Sequence, residues 1–336
     1  MKFKALITIL FVAAAGWFAW WWAAAEAQKF ALTAWLDERR DVGWLAEAAA
    51  IDVAGFPNRV DAELTEIALA DPISGWAWNA PRLAIYQILY KPTEAIVVWP
   101  EEQRIAAPGA RATIRSELMR SSFAFAASEA LTLKRNSFEI RNGAVAADAG
   151  WTAGVDYYNH HLRPSTGDLG PNAYEFVAEV KKLRLPEFIR RTVDPAGALP
   201  AAIEMIKIEG AAAFDTPLDR FAFEREKPQL KALTLLPSEG TWGDLSLRMS
   251  GSMKADASGL AEGSFNIAAK NWEEMLDAAV ASGAINRSLS DAMKLGLGFV
   301  AQLSGGRNTL DVVLTFERGL TKIGPVPLGP APRLVR

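Results

Sequence analysis

The chain opens with a run of 21 residues, ALITILFVAAAGWFAWWWAAA at 5–25, in which Thr8 is the only clearly polar side chain. As a helix it would reach about 31 Å, enough to cross the hydrocarbon core of a bilayer. No other stretch of the 336 residues is comparably long and apolar, so the chain reads as a single-span or exported protein and not as a channel or carrier. Lys2 and Lys4 precede the run, whereas Glu26, Lys29, Asp37 and Glu38 follow it with mixed sign. The positive-inside tendency then puts residues 1–4 in the cytoplasm and the body across the membrane.

Two fates fit this segment. Residues 6–15 have the apolar character of a signal-peptide core, and Ala23, Ala24 and Ala25 supply the small side chains that a peptidase requires. Trp17, Trp20, Trp21 and Trp22 crowd the stretch just before that site. Indoles favour the membrane interface, with the ring body in lipid and the N–H near headgroups, so they read as the outer belt of an uncleaved anchor. On that reading the mature chain keeps residues 5–25.

Residues 26–42 continue in a helical pattern, with Ala31, Trp35, Glu38 and Val42 as an imperfect stripe. After residue 43 the period changes to two. Val60, Ala62 and Leu64 alternate with polar neighbours, and so do Tyr174, Phe176, Ala178 and Val180, then Leu245, Leu247 and Met249, then Leu310, Val312, Leu314 and Phe316. GFPN at 55–58, DPISG at 71–75, RNG at 141–143 and ASG at 257–259 punctuate the runs as turns. Strands joined by short turns imply antiparallel meanders.

The expected class is therefore mainly β with helical insertions (α+β): a transmembrane helix followed by a curved antiparallel β-sheet body. The insertions expected are a helical hairpin over 271–304, opened by an Asn271 cap with Glu273 and Glu274 in the first turn and carrying Leu289, Met293, Leu297 and Val300 at helical spacing, and shorter pieces at 152–162 and 186–192. The turn-rich RPSTGDLGPN at 163–172 suggests a boundary between a first β-rich half, 43–163, and a second, 172–336.

The composition restricts the chemistry. A net charge of -3 argues against a nucleic-acid partner, and the absence of cysteine removes disulfides, thiolate metal sites and a thiol nucleophile. The only histidines, His160 and His161, are adjacent and diverge on either a helix or a strand, which suits a surface helix end better than a metal site. No serine-hydrolase elbow, S-x-x-K or P-loop occurs. GLGFVA at 296–301 fits the letters of a dinucleotide loop but follows a helical pattern, so its glycines read as close-packing residues. KKLRLPEFIRR at 181–191 is locally basic and reads as a solvated strand face and turn. Trp76 and Trp78 would share one face of a strand, as core residues or as a platform touching lipid or glycan. No cofactor is expected.

The N-terminal span, GFPNRVD at 55–61, WNAPRL at 78–83, GLAEGSFNIAAKNWEEML at 259–276 and GPVPLGPAP at 324–332 occur in this order. Together they resemble a bacterial family known only as domain-of-unknown-function family 2125. The resemblance implies a single-span envelope protein and brings no activity or catalytic residue with it. The motifs have a structural reading too: Gly55 and Pro57 turn one strand into the next, and the closing segment runs extended along an edge with few hydrogen bonds.

The functional expectation is a non-enzymatic, inner-membrane-anchored periplasmic protein that binds lipid or another apolar ligand in envelope biogenesis. A scaffolding module that meets envelope proteins through a strand edge is the alternative, and a hydrolase with unrecognised carboxylates is a third.

Overall fold

The computed structural model describes residues 2–195, 197–222, 227–303, 308–324 and 326–335. It is mostly antiparallel β-sheet with a long N-terminal apolar helix and a few further helices, the class expected. The chain forms two compact units, 1–124 with 139–150, and 125–138 with 151–336.

The first unit begins with α1 (Lys2–Asp41), one unbroken helix, so the apolar run and the helix after it are a single element. The strands follow as β1 (Leu45–Glu47), β2 (Ala50–Ala54), β3 (Asp61–Asp71), β4 (Trp76–Gln87), β5 (Glu94–Val98), β6 (Glu102–Ala107), β7 (Ala110–Arg115), β8 (Leu118–Phe125) and β9 (Leu133–Ala147), the first part of β9, up to Phe138, belonging to the second unit. β3 lies centrally, pairing with β1, β2 and β4. Val60, Ala62 and Leu64 point inward as their alternation requires, but the phase changes at Glu66, whose φ is 50°, and Ile67 and Leu69 are the buried residues beyond it. They join Leu36 of α1, Ala46, Trp78 and Ala80 in a core that Leu32 also contacts. The stripe expected on α1 is thus rotated: Leu32 and Leu36 face the sheet, while Ala31, Trp35, Glu38 and Val42 are exposed. RNG at 141–143 is not a turn either; it lies inside β9, where Asn142 takes a positive φ of 46°.

The second unit holds β10 (Thr152–Pro164), β11 (Ala173–Leu183), α2 (Glu187–Val193), β12 (Ile203–Phe214), β13 (Leu230–Trp242), β14 (Leu245–Ala255), β15 (Ala261–Lys270), α3 (Trp272–Ala281), α4 (Arg287–Leu303), β16 (Thr309–Glu317), β17 (Leu320–Ile323) and β18 (Val326–Pro330). From β10 to β18 each strand pairs antiparallel with the next. The 163–172 stretch, where a boundary was expected, is the connection between the paired strands β10 and β11. The helix expected at 152–162 is strand β10, because its side chains alternate: His160 and Leu162 are partly buried while His161 between them is exposed. The closing segment is also better bonded than expected, since β18 pairs with β17 and Ala261 N–H donates to Pro332 O.

The helical hairpin forms where predicted, with one local difference. Asn271 does not cap α3; it adopts a left-handed conformation at φ 55°, ψ 46°, and its side-chain amide donates to Asp244 O at 3.0 Å. A cap does form one helix later, where Asn286 Oδ1 accepts from Leu289 N–H at 2.8 Å. Met293, Leu297 and Ala301 of α4 pack on Leu310, Val312 and Val326, while the Val300 side chain and residue 304 lie outside the described residues. Gly296 is where the helix comes closest: a Cβ there would sit 2.6 Å from Val326 Cγ2, so this glycine serves helix packing, as its helical context suggested.

Candidate apolar-ligand site

Directly opposed residues of neighbouring strands share a face of the sheet. Across β10 to β15 one such row reads Tyr158, Val180, Ile206, Gly240, Leu247 and Ala269. A second row reads Leu162, Phe176, Gly210, Leu235, Gly251 and Phe265. Both are apolar apart from the Tyr158 hydroxyl. The adjacent row on the other face is polar from β10 to β14, Asn159, Glu179, Lys207, Glu239 and Arg248, before it ends at Ala268 in β15, and Arg248 pairs with Glu239 across it at 3.3 Å.

Towards β15 and β16 the apolar face is covered by α3, α4 and the C-terminal strands. Over β12 to β14 it opens into a cleft of about 360 Å³. Ile206, Ile208, Leu235, Leu247 and Met249 line its sheet side, with Trp242, Leu245 and Met275 of α3 beside them. Ile208 and Leu247 are exposed at 40% and 37%, unusual for aliphatic residues in mid-strand on the inner face. The Trp242 indole N–H donates to Pro200 O at 2.8 Å, which fixes the ring as a wall. Ser238 and Thr241 contribute hydroxyls, and the buried one, Ser238, is already bonded, accepting from Glu209 N–H at 3.1 Å and donating to Leu236 O at 3.0 Å. The cleft can therefore hold an apolar body, and its one buried hydroxyl is engaged with backbone.

His160 stands on this same face, opposite Ala178, which is opposite Ile208. Its Nε2 lies 2.7 Å from Asn136 Oδ1 and its Nδ1 3.0 Å from the Tyr158 hydroxyl oxygen; with the ring neutral, Nε2–H donates to Asn136 and Nδ1 accepts from the Tyr158 O–H. Burial, then repulsion from His161, pushes the His160 pKa below the usual histidine value, and burial raises that of Tyr158. The two histidines diverge as the sequence required, and among the described residues no group of three or more His, Cys, Asp or Glu could hold a metal ion.

The tryptophans singled out in the sequence are divided among different surroundings. Trp78 is buried, 9% exposed, in the core of the first unit, and its indole donates to Gln103 Oε1 at 2.7 Å. Trp76 lies nearer the surface, its ring 6.3 Å from that of Trp44. A recess of about 460 Å³ beside Trp78 has Asn79, Arg104, Arg111 and Asp148 in its lining, a polar set unlike the cleft of the second unit. On α1, Trp20 and Trp22 are exposed, whereas the indoles of Trp17 and Trp21 donate to Pro57 O at 2.8 Å and Arg59 O at 2.6 Å. The basic segment at 181–191 is partly neutralised: hydrogen bonds from Arg190 and Arg191 hold the Glu187 carboxyl down at about 2. Of the cleft residues, Leu245, Leu247 and Met249 were visible as an alternating run; Ile206 and Ile208 had the same signal in IEMIKIEG but no sign that their face is left open.

Among the described residues one helix, α1, is long and apolar enough to cross a membrane. A family model described as an uncharacterized protein conserved in bacteria (DUF2125) matches residues 20–332. No curated protein and no solved structure matches the chain.

Proposed function

We propose that this chain, which belongs to the DUF2125 family, is a non-enzymatic bacterial envelope protein, held in the inner membrane by α1 with its body in the periplasm, that binds a lipid acyl chain or a similar apolar ligand in its second unit. The observation that carries the reading is the cleft: about 360 Å³ bordered by Ile206, Ile208, Leu235, Leu247 and Met249. Ligand pockets of this size are typically lined by apolar side chains with few polar groups. The tether supports the same reading, because a protein fixed beside a bilayer meets acyl chains at high local concentration. Lys2 and Lys4 before the span favour the orientation.

The test is mass spectrometry of lipid extracted with the full chain after purification in mild detergent. Lipid should co-purify with the natural protein, and Ile208→Asp combined with Leu247→Asp should remove most of it while leaving the β-rich circular dichroism intact. Equal lipid in both proteins would defeat the reading.

A further inference from the structure

The turn at 55–60 lies against the apolar helix in a way that a simple tether does not require. Every side chain from 3 to 20 is exposed, and from Trp21 onward α1 begins to bury surface: Ala25 packs with Val60 and Leu89. Phe56 meets the rings of Phe18 and Trp21, each at 5.5 Å. The turn therefore touches α1 inside the apolar run. The helix ahead of it, residues 3–16, spans only about 21 Å at 1.5 Å per residue. A hydrocarbon core of about 30 Å needs roughly six residues more, which brings the span to Trp22. Those six residues are the ones the turn flanks.

We propose that the turn at 55–60 and the neighbouring segment at 88–90 are a second membrane contact, seated in the outer interface of the bilayer that α1 crosses; this rests on the tether reading above. Phe56 is 50% exposed and Tyr90 67%, large aromatic surfaces on either side of the buried Leu89 and Val60. The backbone is suited to low-dielectric surroundings, where unmet carbonyls are costly. Gly55 O accepts from Arg59 N–H, Asn58 O from Leu89 N–H, and Pro57 O and Arg59 O from the two indoles. Charge is balanced at the rim, with Arg59 paired to Asp61 at 2.8 Å and Lys91 to Glu94 at 3.3 Å. The contact thus depends on aromatic burial and not on anionic headgroups.

The chain has no cysteine, so single labelling sites can be introduced cleanly. Phe56→Cys, Tyr90→Cys, Phe11→Cys and Ile73→Cys would each carry a nitroxide in the full chain reconstituted into phosphatidylcholine vesicles. Ile73, 92% exposed on the β3–β4 turn, reports water, and Phe11 reports the span. Labels at 56 and 90 should collide more often with lipid-soluble oxygen than with a water-soluble nickel chelate, as at 11, and 73 should show the reverse. If 56 and 90 behave like 73 while 11 lies in lipid, the second contact is overturned and the tether stands. If 11 also behaves like 73, both fall. Tyr90, outside the helix-packed turn, keeps the test sound should Phe56→Cys disturb that turn, and 0.5 M salt, which shortens the screening length to about 4 Å and removes surface charge attraction, should leave an aromatic contact unchanged.

Discussion

At the residue scale, the sheet of the second unit has glycines where neighbouring backbones come too close for a side chain. A Cβ on Gly251, at φ 148°, would sit 2.2 Å from Ser264 O and 2.7 Å from Phe265 Cα, both backbone atoms of the adjoining strand. Neither can move without parting β14 from β15. Gly251→Ala should therefore cost about 1–3 kcal/mol or more, read as a fall in the thermal midpoint, whereas Gly298→Ala, with open space around it, should not. His160 gives a second prediction. Its folded pKa lies below the unfolded value, so the unfolded chain binds the extra proton first and stability declines as pH falls below the usual histidine range. Melting between pH 7.5 and 5 should show that decline, and His160→Gln should flatten it. The sequence displayed both histidines but not their setting: the helical reading of 152–162 gave no partner, and Asn136 comes from a strand 24 positions earlier.

At the element scale, the periods of two and 3.6 were readable and the faces less so. Alternation of apolar and polar residues identified β3, β11, β14 and β16, and the recurrence of apolar residues every turn identified α3 and α4. α1 misled because it is apolar all round in its first half, so no stripe distinguishes the face that later meets β2 and β3. Asn271 misled for a different reason: an asparagine before a helix can supply its side chain to the helix or take a left-handed turn itself, and only the nearby Asp244 carbonyl decides between them. The packing of α4 makes a direct prediction. Leu297 is 1% exposed and Leu295 83%, so Leu297→Ala should cost about 2–5 kcal/mol and Leu295→Ala close to none in denaturant titration.

At the scale of the whole molecule, the tether and the cleft belong to different units. If the proposed tether and cleft are right, a chain beginning at residue 26 should lose stable membrane association in a flotation assay yet still co-purify with lipid, because no residue of the cleft comes from the first unit. The first unit should suffer more, since the truncation removes Ala25, Trp21 and Trp17 from its surface. The cleft itself was illegible in the sequence. An apolar strand face looks the same whether another layer covers it or not, and coverage here is decided by α3, α4 and β18, elements far along the chain from β12.

The two indole bonds of α1 have a mechanical meaning. Trp17 and Trp21 stand four residues apart, one turn of helix, and each is pinned to a carbonyl of the same short turn. Two fixed points on one side of a rod stop it from both sliding and rotating. The first unit is therefore held at a set height and heading on its helix. On the proposed tether, a thinner or thicker bilayer would be met by the tilt of the rod and by the lipid around it, and the unit would lean with the rod instead of riding up or down along it.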